Sequence, residues 1–295
     1  MSRWTLCVGA SLRPATVGLA KTLRVAVAGC SVLAGAAADR ALAADWPDAL
    51  RGSLTPSYTR WDGWQFGVQA GIASMRSDFG NGTSSLVAFI LRNSTLQNEA
   101  APSEWTALSP DVHTGQVFGG FLGYNVQWDQ LVVGWDVAYK YGSTLKTASA
   151  DQITRVVTTS DDVQHTVSIS AQSALKLVDY ATLRGRAGYA FGQFLPYAVV
   201  GAAVGRFNYA TTVDVTDDQL LPPIPPGTPV PTFAQSGSVG KNNAYIGGVV
   251  AGLGMDWAVT PGMFVRAEWE YVAFAPVNGT RVNLNTGQVG VGARF

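Results

Sequence analysis

Cysteine is nearly missing from this 295-residue chain: only Cys7 and Cys30 occur, both in an N-terminal stretch that reads as a removable leader. The remainder has none, so neither disulfides nor thiolate metal sites can hold it together. Histidine is as scarce, with His113 and His165 the only two. Charge is thin as well, 14% of residues, against about a quarter in ordinary soluble domains. It is also balanced, 20 basic against 20 acidic residues, which excludes nucleic acid as the main partner. Beyond the N-terminus there is no run of eighteen apolar residues, which excludes a membrane-spanning helix. What is plentiful is glycine (33), aromatic residues (11%) and hydrophobic residues in general (47%). That is enough for a large core or a lipid-facing band, and too apolar for disorder.

The leader comes first. Lys21 and Arg24 precede an uncharged run, Val25 to Ala38, and Ala41-Leu42-Ala43 supplies small residues at a cleavage point. A positive flank, a short apolar core and an A-x-A site describe a secretory signal peptide, residues 1–43. Five of the 20 basic and one of the 20 acidic residues go with it, which leaves 15 against 19 and a formal charge of −4.

The rest alternates with period two, the signature of strands. In Met263–Phe274, Met263, Val265, Ala267, Trp269 and Tyr271 share one face, while Arg266, Glu268 and Glu270 share the other. A helix would scatter those three charges. Similar rows predict strands over Gly63–Met75, Thr114–Val126, Leu131–Tyr141, Tyr180–Phe191, Pro196–Tyr209, Ala244–Trp257 and Val282–Phe295. In Pro196–Tyr209 the reading sets Tyr197, Val199 and Phe207 against Arg206. The phase of Thr114–Val126 is ambiguous. Three connections are tight (Gln127–Gln130, Gly192–Leu195, Ala258–Gly262) and the alternate ones are longer: Ser77–His113, Gly142–Asp179, Ala210–Asn243 and Ala275–Arg281.

Eight long strands, short turns at one end and long loops at the other predict an all-β, antiparallel up-and-down transmembrane barrel with periplasmic turns and extracellular loops. Closure follows from lipid, where an open sheet edge would leave backbone groups unpaired. Aromatics fall near the expected boundaries as a girdle: Trp64, Phe191, Tyr197, Trp257 and Phe295 by the short turns, and Tyr139, Tyr141, Tyr209, Tyr245 and Tyr271 toward the loops. A soluble ligand-binding barrel shares the alternation. The long strands, the aromatics at both ends and charged rows of both signs favour the membrane barrel. Expected partners are therefore outer-membrane lipid and lipopolysaccharide, with an unidentified loop partner outside.

Trp61-Asp62-Gly63-Trp64, the preceding Leu50-Arg51-Gly52-Ser53 and the closing Val289-Gly290-Val291-Gly292-Ala293-Arg294-Phe295 resemble the small alphaproteobacterial outer-membrane proteins with an OmpA-like, porin-family β-barrel domain. The resemblance spans roughly Trp61–Phe295. It implies that terminal Phe295 is the sorting signal read by the barrel-assembly machinery. The expected organisation is then a leader over 1–43, a short periplasmic arm over 44–60 and the barrel over 61–295, with no separate peptidoglycan-binding domain. The proline-rich Leu220–Pro231 departs from the family pattern and reads as a stiff extended loop.

Chemistry is sparse. Both histidines fall in or beside predicted loops, where solvation is the plain reading. Asp161-Asp162 lacks the alternating ligand spacing of a calcium loop. No catalytic set, cofactor site or metal site is expected. The informative site is the lumen, with inward candidates Asp136, Lys140, Arg184, Arg186, Arg206, Asp256, Arg266, Glu268, Glu270 and Arg294, six basic and four acidic. An eight-stranded barrel is only wide enough for side chains to fill. The expected function is a structural or surface-interaction barrel plugged by paired charges. The alternative is a narrow channel for small solutes or ions with slight anion preference.

Overall fold

A computed structural model describes residues 59–105, 108–142, 144–220 and 233–295. The expected leader and nearly all of the expected arm lie outside the described residues, as does the proline-rich segment beyond Leu220. The described elements run β1 (Gly63–Asp78), α1 (Ser84–Ile90), α2 (Thr95–Ala100), β2 (Asp111–Trp128), β3 (Leu131–Tyr141), β4 (Lys146–Thr158), β5 (Gln164–Tyr189), β6 (Phe194–Leu220), β7 (Phe233–Thr260), β8 (Met263–Val277) and β9 (Thr280–Arg294).

Eight of the strands close a ring, β1-β2-β3-β5-β6-β7-β8-β9, in which β9 pairs back onto β1 from Gln65↔Arg294 to Asp78↔Arg281. All neighbours are antiparallel, and β3 meets β5 along Leu131↔Tyr189 to Tyr141↔Asp179. The remaining strand, β4, pairs with the upper half of β5 on the edge that β3 uses lower down, and so continues the β3 position above it; Thr147 of β4 donates to Ser77 of β1 at 2.7 Å. Alternation fixes which side each residue takes. On β8, Val265 and Trp269 face out, while Arg266, Glu268 and Glu270 are buried inside.

The strands overrun the expected bounds. β5, β6 and β7 are 26, 27 and 28 residues long, more than twice the ~9–11 residues that cross a bilayer. The expected loops Gly142–Asp179 and Ala210–Asn243 are therefore largely strand. Period-two alternation persists there: Val167, Ile169, Ala171, Leu175 and Leu177 are buried, while Thr166, Ser168, Ser170 and Gln172 face out. Only the outward partner changes, from apolar to hydroxyl, because that face meets water. Ala275–Arg281 is likewise a tight hairpin: Asn278 (φ 47°) and Gly279 (φ 79°) both occupy the left-handed region, as a two-residue type I′ turn requires.

Two apolar clusters fill the interior. The lower one gathers Trp61, Phe121, Leu195, Tyr197, Val199 and Phe264 near the short turns. The upper one includes Tyr180, Phe207, Val272 and Phe274 and continues outward to Val87 of α1 and Leu96 of α2. The helices thus cover the inner face of the projecting β4–β7 hairpins.

Candidate functional site in the barrel lumen

Between the two clusters lies a layer of charge. Facing strands deliver it in register: Asp136 of β3 is the direct partner of Arg184 on β5, and Asp256 of β7 is the partner of Arg266 on β8. Arg184 Nε donates to Asp136 at 2.7 Å, and its Nη1 reaches across to Glu268 at 2.5 Å and Glu270 at 2.6 Å. Lys140 on β3 spans the ring to Glu270 on β8 at 2.7 Å. Around the ring those two strands are four places apart, the full diameter. Asp256 accepts from Arg266 Nε and Arg186 Nη2, both at 2.8 Å.

Four cations (Lys140, Arg184, Arg186, Arg266) meet four carboxylates (Asp136, Asp256, Glu268, Glu270), and every one of them is buried. Neutral groups complete the layer. Tyr197 donates to Glu268 Oε2 at 2.9 Å and Gln288 donates to its Oε1 at 2.6 Å. Arg186 lies over the Tyr197 ring at 3.9 Å, and Arg266 over Phe121 at 3.9 Å.

Glycine makes the room. Gly123, Gly134, Gly252, Gly254 and Gly290 stand directly opposite Asp136, Arg186, Glu270, Glu268 and Arg266 on neighbouring strands. A methyl on Gly254 would collide with the Tyr197 ring. Side chains this long fit an eight-stranded interior only if the neighbouring strand gives up its own side chain.

Two of the ten expected lumen charges lie elsewhere. Arg206 is on the outer face, paired with Asp179, which also accepts from the Tyr139 hydroxyl at 3.0 Å. The phase of β6 is thus opposite to the sequence reading: Tyr197, Val199 and Phe207 point inward. Both faces of β6 are uncharged between Leu195 and Gly205, so Arg206 alone set the expected phase. Arg294 sits half-buried at the short-turn end, over the Trp61 ring at 4.4 Å, with Nε donating to Pro261 O at 2.9 Å. Without these two, the expected six-to-four basic excess becomes four to four.

The aromatic set divides similarly. Trp64, Tyr139, Tyr141, Phe191, Tyr245 and Trp257 are exposed on the outer surface and Tyr271 partly so. Tyr197 belongs to the lumen, and Tyr209 packs against the upper core. Phe295 is exposed, exchanges backbone hydrogen bonds with Trp64 at 3.0 and 3.1 Å, and meets the Phe66 ring edge-on. His113 is exposed on β2, whereas His165 is buried beside Asp217 at 2.8 Å. The expectation of a solvated loop histidine fails for His165 because its supposed loop is strand. Trp61 and Tyr180 are lumen fillers that the sequence reading did not assign there, since nothing in a sequence marks an aromatic for that place.

These features define a class: a closed antiparallel barrel with an apolar exterior and a buried, ion-paired interior. The family model described as outer membrane protein beta-barrel domain matches residues 26–295, and the chain belongs to that family. It is a Gram-negative outer-membrane protein. No curated protein matches the sequence. Solved structures with a similar fold include Ail, the attachment invasion locus protein of Yersinia pestis (13% identity, TM-score 0.32, covering 79% of this chain and 99% of that one). Neisserial surface protein A matches at 16% identity and TM-score 0.32, over 78% and 97% of the two chains. OprG of Pseudomonas aeruginosa matches at 10% and 0.32, over 79% and 97%.

Proposed function

We propose that this protein is a structural barrel of the outer membrane, sealed through its lumen, which presents the β4–β7 hairpins and the α1–α2 segment to the surroundings. One observation carries the reading. Upward along the inward face of β8 stand Phe264, Arg266, Glu268, Glu270, Val272 and Phe274, all buried, so a neutral ion-paired layer is closed below and above by apolar side chains. An ion entering it would have to displace paired, buried charges, which is costly. The exposed aromatics at the two ends fit a girdle at lipid and lipopolysaccharide headgroups. The leader over 1–43, kinship with alphaproteobacterial OmpA-like proteins and Phe295 as a signal to the assembly machinery belong to the same proposal. The test is conductance: the purified full chain in planar bilayers should give no steady current, and a stable open level would overturn the reading.

A narrow pore is the second reading. Its support is a set of buried polar atoms without hydrogen-bond partners, namely both amide atoms of Gln69, Arg184 Nη2 and Arg186 Nη1. A thin file of water would satisfy them.

A further inference from the structure

On the outer wall, β4, β5 and β6 carry a groove of about 330 Å³ whose only charged lining residues are Lys146 and Lys176. Both lysines face outward, because their neighbours Thr147, Leu175 and Leu177 are buried. They are direct cross-strand partners, which sets their Cβ atoms ~4.5–5.5 Å apart, and like charges so placed repel. Neither makes an ion pair or hydrogen bond with a described residue. The nearest carboxylates are engaged elsewhere. Asp179 pairs with Arg206 and accepts from Tyr139, and Asp111 accepts from the backbone amides of Ala148 and Val112 at 3.1 and 2.9 Å. Farther up the outer face, Asp214 stands six residues beyond Asn208, about 20 Å along the strand. Asn208, the partner of Lys176 on β6, accepts through Oδ1 from Asn243 N at 2.8 Å, which leaves its amide hydrogens to donate. Ala148, Ala174 and Ala210, in register just above, give the groove a floor without bulk.

The height of the groove indicates where an anion would come from. In the next outward row below, Tyr141, Asp179, Arg206 and Tyr245 are consecutive partners across β3, β5, β6 and β7, and both tyrosines are exposed. The lysines thus stand just above the upper girdle, at the level of lipid headgroups. We infer that Lys146, Lys176 and Asn208 bind the phosphate monoester of an outer-leaflet glycolipid. A phosphate monoester carries close to two negative charges at pH 7, which two lysines balance, whereas a diester carries one. Lysine binds phosphate as a point charge on a flexible stem, and the alanine floor leaves room for the sugar that bears the phosphate. The inference rests on the headgroup girdle proposed above and is independent of whether the lumen conducts.

The experiment titrates the refolded full chain in non-ionic detergent with bisphosphorylated lipid A, dephosphorylated lipid A, phosphatidylglycerol and inorganic phosphate, and counts bound lipid by native mass spectrometry. Bisphosphorylated lipid A should bind about tenfold or more tightly than the dephosphorylated form or phosphatidylglycerol, and inorganic phosphate in molar excess should not displace it. Lys146→Gln combined with Lys176→Gln should abolish that preference, and Lys146→Arg combined with Lys176→Arg should keep it. Arg281→Gln, on β9 at the opposite side of the ring, should leave it unchanged. Lipid with brominated chains should quench the outward Trp64, Trp135, Trp257 and Trp269 equally in every variant, which separates lost contact from misfolding. Quenching without phosphate-dependent binding, a preference that survives the paired Gln variant, or displacement by inorganic phosphate would overturn the site alone. Unquenched tryptophans would overturn the lipid-facing wall as well.

Discussion

Removing the Glu268 side chain probes the charge layer where it is most connected. Glu268 accepts from Arg184, Gln288 and Tyr197 at 2.5, 2.6 and 2.9 Å. In Glu268→Ala the layer carries one excess positive charge, and two neutral donors lose their acceptor. Breaking a buried pair costs ~3–5 kcal/mol. Arg184 keeps Asp136 at 2.7 Å and Glu270 at 2.6 Å, which pulls the expectation to the lower end, about 3 kcal/mol, a factor above 100 in the folding equilibrium. Equilibrium unfolding in urea, followed by tryptophan fluorescence in detergent, measures it. Adding Arg184→Met restores neutrality with three cations and three anions, so the double variant should lose less than the sum of the singles. A loss below about 1 kcal/mol in Glu268→Ala, the range of solvent-exposed pairs, would refute the proposed sealed layer.

Val289 faces out between Ala70 and Ala267, so Val289→Arg should cost ~2–4 kcal/mol, and Val265→Arg, near the Pro261-Gly262 turn, less. Thr212→Arg, on the exposed face of the projecting part of β6, should stay within about 0.5 kcal/mol in the same assay. Gly254→Ala drives a methyl into the Tyr197 ring and should cost ~1–3 kcal/mol, a cost that shrinks in a Tyr197→Leu background. Deleting Phe295 should leave protease-sensitive protein in the periplasm of expressing cells while the purified chain still refolds in detergent. Normal insertion in cells would remove Phe295 from the assembly signal.

The barrel was legible because lipid and lumen impose opposite demands on alternate residues. β8 shows it best: three charges at spacing two, flanked by Val265, Ala267 and Trp269, leave one possible phase. β3 was equally clear, and its observed bounds equal those expected. β6 was not, since Tyr197 to Gly205 offers small uncharged residues to both sides. There the choice is made by neighbours, with Gly254 opening space for Tyr197 and Asp179 drawing Arg206 outward. The extracellular half was misread for another reason. Beyond the bilayer the outward face turns polar, so a search for an apolar outer row ends although the strand continues. The Asn278-Gly279 pair was a readable hairpin signal, hidden by the expectation of a loop on that side.

The neutral layer raises the question of why the lumen is not simply filled with apolar side chains. Replacing buried ion pairs by well-packed apolar groups is often neutral or stabilising by ~1–4 kcal/mol, so net stability is a poor reason to keep them. Register is a better one. A one-residue slip of β8 would turn Arg266, Glu268 and Glu270 to lipid and bring Val265 and Trp269 inside, and charge on the lipid face is destabilising. An apolar lumen would pay no such penalty, because both faces of the strand would then be apolar. The chain offers a clean probe, since its two cysteines, Cys7 and Cys30, lie in the expected leader. Val265 and Val291 are direct partners on the outer face, so cysteines placed at both should cross-link efficiently in the native register. A variant with all eight layer charges replaced by apolar residues of similar volume should still form β-structure of comparable stability. It should cross-link Val265→Cys to Val291→Cys less completely and gain cross-links between positions shifted along β9. Undiminished cross-linking in that variant would show that turns and glycine packing alone fix the register, and would leave the charge layer without this role.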